Sequence, residues 1–202
     1  MGFDLHGLNP KTNKTIDKYP TYKKYEGMNF SKRWKLFDAD EKLRDKYWEE
    51  KDNFQEDNPG IYFRNNCWWW RPLWQFVCER FDDILTEEDM ESGNSNSGHE
   101  ISLDKAMKIG VELTAMLESG RIKEYSDRYK ANIEALPKVK CDLCEGTGKR
   151  QEAPKSGAGD IKCNGCGGNG ERDDWATSYP FNVENVEEFA TFCLESGGFD
   201  IC

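Results

Sequence analysis

Two copies of one short pattern constrain this chain more than any other feature. Residues 141–148 read CDLCEGTG and residues 163–170 read CNGCGGNG, and both fit C-x-x-C-x-G-x-G. Two cysteines separated by two residues form a knuckle that turns tightly around a cation. The glycines permit positive φ and let backbone amides approach the sulfurs. Eight of the chain's 18 glycines fall between Gly146 and Gly170. Two knuckles supply four thiolates, from Cys141, Cys144, Cys163 and Cys166, the closed tetrahedral set of one structural Zn2+. Four protein ligands leave no position for a substrate water, so Lewis-acid catalysis is not expected there. A redox role would draw on the lowered thiol pKa of C-x-x-C pairs, but two matched knuckles are better explained by metal. The other cysteines, Cys67, Cys78, Cys193 and Cys202, have no ligand spacing, and Cys78 and Cys193 are expected as buried thiols. Lys149, Arg150, Lys155 and Lys162 lie between the knuckles, in what reads as a solvated loop.

The rest of the chain must fold by burial. Its 202 residues carry 28 Lys+Arg against 38 Asp+Glu, a net charge of -10. Leu, Ile and Val together number 26, and so do Phe, Trp and Tyr. So few aliphatics at this charge fall in the range of disordered chains. The aromatics point the other way, because each ring can bury roughly 150–250 Å². The expectation is a folded protein whose core rests on rings. No stretch approaches the roughly 18 apolar residues of a membrane span. The opening MGFDLHGLNPKTNK has no apolar signal core, so secretion is not expected, and the thiols fit a reducing, cytoplasmic setting. The acidic balance argues against broad nucleic-acid binding. Charge is nevertheless segregated. Residues 1–36 hold 8 basic and 3 acidic side chains, whereas residues 79–91 are net -6 and residues 171–202 net -7.

Periodicity predicts a mainly α chain with minor strands. Residues 1–30 read as irregular apart from a short strand at 2–5. A charged helix is expected at 38–52, touching the core through Leu43, Tyr47 and Trp48. A turn at Asn58-Pro59-Gly60 precedes a strand at 61–63. Pro72 suits the first turn of a helix, and Leu73, Val77, Phe81 and Ile84 recur at helical spacing. Residues 86–100 read as a mobile acidic loop. Further helices are expected at 103–118, with Leu103, Met107, Gly110, Leu113 and Leu117 on one face, at 121–136, and at 183–196, with Val186, Phe189, Ala190 and Cys193 inward. The architecture is a helical core, residues 1–136 plus 178–202, carrying an inserted zinc-knuckle β-hairpin module at 137–177.

Residues 62–74 read YFRNNCWWWRPLW, with four of the seven tryptophans between Trp68 and Trp74. Three consecutive tryptophans cannot all be buried on one helix face. At least one of Trp68, Trp69 and Trp70 must meet another surface or solvent. Trp and Arg are the residues of binding hot spots and stacking sites. Arg64, Asn65, Asn66, Trp68, Trp69, Trp70, Arg71 and Trp74 are therefore the candidate ligand or partner site. The competing reading makes these rings core, with Asn66 as a helix cap.

The knuckle module resembles the cysteine-rich zinc region of DnaJ-type chaperones, whose repeats carry the same pattern. The likeness covers residues 141–170 and implies the same four zinc ligands. That region has four repeats and two zincs, whereas this chain has two repeats and no His-Pro-Asp signature, so co-chaperone activity does not carry over. The YFRNNCWWWRPLW segment, with the MGFDLHG opening and the VENVEEFATFCLESGGFDI ending, resembles a family of small proteins carried by phages and prophages. That resemblance covers residues 1–136 and 178–202. It implies that the cysteine module is an insertion between core helices and that the setting is a bacterial host cytoplasm.

Nothing in the sequence requires an enzyme. His6 and His99 have no identifiable partner, and phosphate-loop and dinucleotide fingerprints are absent. Asp82-Asp83 and Glu87-Glu88 read as solvated carboxylates. The reading is a non-enzymatic, zinc-stapled protein that binds and modulates a host protein, with anti-defence as one such role. The alternatives are a binder of a nucleotide or nucleotide-derived signal through the Trp/Arg cluster, and an acidic mimic of nucleic acid.

Overall fold

The computed structural model describes residues 2–150 and 161–202. Lys155 lies outside the described residues. Two compact units emerge, residues 1–122 with 182–202, and residues 123–181. The boundaries expected at 136 and 178 thus fall at 122 and 182, so most of the helix after Gly120 belongs with the cysteine module.

The first unit is built around a four-stranded antiparallel sheet flanked by helices. Its strands are β1 (Gly2–Gly7), β2 (Tyr62–Asn66), β3 (His99–Ile101) and β6 (Phe199–Ile201), in the order β2-β1-β6-β3. Strand β1 is longer than expected because both its edges are paired, Leu5 opposite Phe63 and also opposite Ile201. Strand β2, at the sheet edge, runs to Asn66 because its pairing with β1 continues to Gly2 opposite Asn66, and β6 had no sequence signal beyond the glycines that precede it. Alternation along β1 buries Phe3 and Leu5.

The region read as irregular, residues 1–30, holds helix α1 (Pro20–Glu26), and helix α2 (Phe30–Ala39) starts at its end. Asn29 caps α2, its side chain accepting from the amides of Ser31 and Lys32. Asp40 leaves helical geometry and caps α3 (Glu41–Asp57), accepting from Leu43 N. The single helix expected at 38–52 is therefore two helices with a capped break. They close on a satellite cluster of Tyr25, Phe37 and Tyr47. Trp48 stays exposed beneath the Lys51 ammonium, which sits 4.9 Å from its ring.

Helix α4 (Cys67–Arg80) begins five residues before Pro72, so proline lies inside it and not in its first turn. Asn66 is the cap, its side chain accepting from Trp68 N and Trp69 N at 3.0 Å. A cap that satisfies two amides lets the helix start early, at the cost of one hydrogen-bond donor at Pro72.

Residues 86–100, expected as a mobile loop, form helix α5 (Glu87–Ser92) and strand β3. Thr86 and Asp89 make a reciprocal capping box. Helix α6 (Leu103–Glu118) and helix α8 (Val183–Glu195) pack closely. A Cβ on Gly110 would stand 2.8 Å from Leu194 Cγ, so a larger residue would force the Leu194 side chain to move. The buried face of α6 is Ala106, Ile109, Gly110, Leu113 and Met116. It is rotated from the expected stripe, and Leu103 and Met107 are exposed. On α8 the expected Val186, Phe189, Ala190 and Cys193 are all buried.

The second unit contains most of α7 (Arg121–Glu134) and the short hairpin of β4 (Val139–Lys140) and β5 (Glu171–Arg172). Tyr125 packs edge-on to Phe181 at 4.7 Å, and Tyr129 donates its hydroxyl to Tyr179 O at 2.8 Å. These contacts are why the helix goes with this unit.

Candidate metal centre

The two knuckles repeat one another bond for bond at an offset of 22 residues. Cys141 N donates to Gly170 O at 2.8 Å, and Cys163 N donates to Gly148 O at 2.9 Å, so each knuckle is pinned by the end of the other. Within each, the seventh residue turns back on the fourth. Thr147 N reaches Cys144 O at 2.9 Å, and Asn169 N reaches Cys166 O at 3.1 Å. The last glycine of each pattern then aims its amide at sulfur, Gly148 at Cys144 Sγ (3.3 Å) and Gly170 at Cys166 Sγ (3.2 Å).

Those glycines are required twice over. Gly148 and Gly170 have φ of +70° and +81°, and a Cβ there would lie 2.2 and 2.3 Å from a carbonyl oxygen of the opposite knuckle. The C-x-x-C-x-G-x-G spacing is thus the local geometry written out, with no freedom at its last position.

All four sulfurs are buried and lie within 4.8 Å of one another, an arrangement that could hold a metal ion. Cys141 Sγ is 3.8 Å from Cys163 Sγ, and Cys144 Sγ is 3.7 Å from Cys166 Sγ. Burial pushes the Cys141 thiol up to about 11. Burial also opposes ionisation of Cys166, but the amides of Gly170 and Gly168 together with hydrogen bonds from Cys144 and Cys163 bring that thiol down to about 7. Amide donors favour the thiolate, and the thiolate is the form that ligates.

The aromatic-arginine segment divides between core and surface. Trp70 and Trp74 are fully buried, stacked at 5.2 Å with rings 15° apart. Their indole N–H groups donate to Gly93 O (2.7 Å) and Met90 O (3.1 Å), satisfying the carbonyls at the end of α5. Asn65 is buried and donates to Asn185 Oδ1 at 2.7 Å. Asn66 is the helix cap. What remains outside is Trp69, 42% exposed, the partly buried Trp68, and the exposed Arg64 and Arg71. Arg71 and Trp74 do line one groove of about 590 Å³ with Cys78 and Met90. Trp74 is fully buried, so it offers that groove no free ring face.

No family model, curated protein or solved structure matches the chain. Its chemistry is therefore read from its own residues.

One cluster escaped the sequence reading. Asp89, buried at the start of α5, accepts from His99 Nε2 at 2.9 Å and pairs with the Lys105 ammonium. It also accepts from Thr86 N at 2.7 Å. The signal was present as Thr86-x-x-Asp89, a capping-box spacing hidden in a polar, glycine-containing stretch. Burial works against the Asp89 charge, yet Lys105, His99 and Thr86 hold its carboxyl well below the usual carboxylate range. A carboxyl lowered in the fold stabilises it above the ordinary value of 3.8, and that contribution fades as pH falls toward the folded value. Asp89→Asn is therefore expected to cost about 3 kcal/mol at about pH 7 and far less at about pH 2, by urea unfolding. Equal losses at both pH values would show that the charge of Asp89 plays no part.

Proposed function

We propose that this chain is a zinc-stapled, non-enzymatic protein that binds and modulates a host protein in a bacterial cytoplasm. The observation that carries the reading is the closed four-thiol cluster. A tetrahedron with Zn–S bonds of about 2.3 Å has edges of about 3.8 Å, and the two closest sulfur pairs are 3.8 and 3.7 Å apart. The likeness of the knuckles to the DnaJ-type zinc repeat points to the same metal. Four thiolates complete the coordination of Zn2+, so its role is to hold the second unit in shape. Function is then left to surfaces.

The surface that fits a protein partner is the corner where β2 runs into α4. Trp69 is exposed there, and Arg64 stands on the preceding strand with 72% of its side chain accessible. Trp and Arg are the side chains on which hot spots depend. The acidic-mimic alternative has support of its own. Asp52, Glu56, Glu184, Glu187 and Glu188 line one groove of about 910 Å³. The nucleotide alternative keeps only Trp68, Trp69, Arg64 and Arg71 of its expected site.

The test has two parts. Elemental analysis is expected to give about one zinc per chain, and stoichiometric iron would overturn the metal assignment. Affinity capture from bacterial lysate is expected to retain a stoichiometric partner that Trp69→Ala releases. A partner retained by Trp69→Ala but lost steeply with added salt would move the reading to the acidic groove. No partner at all would sink it.

A further inference from the structure

The sheet of the first unit ends at β2, which pairs on one side alone among the described residues. The ladder shows which backbone groups are left over. Gly7 N donates to Ile61 O at 3.0 Å, and Asp4 exchanges hydrogen bonds with Cys202 on the other side of β1. Antiparallel ladders alternate bonded and non-bonded pairs. Phe63 and Asn65 are thus the residues of β2 that bond to β1, and the N–H and C=O groups of Tyr62 and Arg64 point off the sheet. Those groups have no hydrogen-bond partner among the described residues.

A groove of about 910 Å³ runs along this edge. Tyr62, Phe63 and Arg64 all line it, although consecutive side chains of a strand point to opposite faces. The groove therefore takes in the edge of β2 and not one face of the sheet. Helix α3 contributes Asp52 and Glu56 to it, and helix α8 contributes Glu184, Glu187 and Glu188. These five carboxylates form no ion pair among the described residues. Arg64, the one cation lining the groove among the described residues, stands 3.8 Å from Asp4. The carboxylates do not converge as metal ligands do. Among the described residues, the four cysteines are the one group whose ligand atoms lie within 4.8 Å of one another.

We propose that this edge takes an extended, basic peptide segment of a partner, which pairs with β2 as a fifth strand. Strand addition draws affinity from main-chain hydrogen bonds and specificity from the side chains beside the edge. Tyr62 and Arg64 offer the free donors and acceptors, and the carboxylates select lysine or arginine. On an extended segment the side chains of one face recur about every 6.7 Å. That spacing suits acids carried on two helices, where a single ion would need them gathered. Charge decides against the other occupants. A second copy would bring five carboxylates of its own to the same groove, and like charge at an edge deters pairing. Nucleic acid would meet the same repulsion. The proposal does not rest on the Trp69 corner.

The probe is an end-capped, fluorescein-labelled heptapeptide of alternating lysine and threonine, titrated by anisotropy against the metal-loaded full chain. Saturable binding is expected, weakening roughly threefold or more from about 50 to about 500 mM salt. Glu184→Gln, Glu187→Gln and Glu188→Gln combined should weaken it roughly 3- to 150-fold. Circular dichroism checks that this variant folds. The same peptide methylated on every main-chain nitrogen keeps its charges and loses its donors, and should bind roughly tenfold more weakly or worse. Amide hydrogen exchange at Tyr62 and Arg64 should slow when the unmethylated peptide binds. Trp69→Ala should bind the peptide as the parent does, so failure here is distinguishable from failure at the proposed partner corner. Absence of binding at about 50 mM salt would overturn the proposal. So would an undiminished triple variant, equal binding of the methylated peptide, or unchanged exchange at Tyr62 and Arg64. A dimer of the free chain that already protects those two amides would overturn it as well.

Discussion

Removing the metal is expected to unfold the cysteine module and leave the sheet and its helices standing. Between residues 123 and 181 the buried apolar side chains, among the described residues, are the four cysteines and Phe181. A unit with that content has almost no apolar area with which to offset chain entropy. On the proposed zinc assignment its folding energy comes from metal–sulfur bonds, whose apparent worth in zinc-finger peptides is about 10–16 kcal/mol. The first unit has a separate core of Trp70, Trp74, Ile109, Leu113, Phe189 and Phe192, all but fully buried. Treatment with a strong chelator should therefore make residues 137–150 and 161–180 cleavable by dilute protease while most helical circular dichroism persists. Cys141→Ser with Cys163→Ser should behave the same way without chelator and retain no zinc. A module that stays protease-resistant after the metal is gone would refute the assignment of its stability.

The second large effect contrasts neighbours. Trp70→Ala is expected to cost about 3–5 kcal/mol, whereas Trp69→Ala should fall within about 0.5 kcal/mol of the parent. Trp70 touches Phe3 at 5.4 Å, Trp74 at 5.2 Å and Phe189 at 5.8 Å, tying β1, α4 and α8 together. Its loss also strands the Gly93 carbonyl that its indole satisfies. Trp69 has no comparable enclosure. Urea midpoints of the two variants measure the difference, and similar midpoints would contradict this division of the cluster. The groups packed around Trp70 leave little slack. A Cβ on Gly93 would stand 2.0 Å from the neighbouring Trp74 ring.

These contrasts explain what could be read in advance. The knuckles were fully legible, because a cation and close amides dictate residue type at fixed spacing. Helices α6, α7 and α8 were legible from period and terminal glycines. The sharing of the tryptophans was legible only as a constraint, since three adjacent rings cannot face one way, while Trp70 is chosen by Phe3 and Phe189 from distant segments. Helices α1 and α2 were missed because their stability lies in the Asn29 cap and the Arg33 bonds to Tyr25 and Glu26, and not in a wide apolar stripe. Helix α5 was missed because six residues carry no periodicity, and Trp70, Trp74, His99 and Lys105 hold it from outside. The face of α6 was misjudged because the expected stripe followed its large residues through Leu103 and Met107, which are exposed, whereas Ala106, Ile109 and Met116 join Gly110 and Leu113 on the buried side.

The placement of β6 bears on how such a chain reaches its fold. It lies between β1 and β3, and its Ile201 is opposite both Leu5 and His99. Until residues 199–201 dock, β3 has no sheet to join and one edge of β1 is bare. The sheet is therefore completed by a contact that spans nearly the whole sequence, and closing so long a loop is slow compared with forming helices. During synthesis the sheet would stay unfinished until residues 199–201 are made and can dock between β1 and β3.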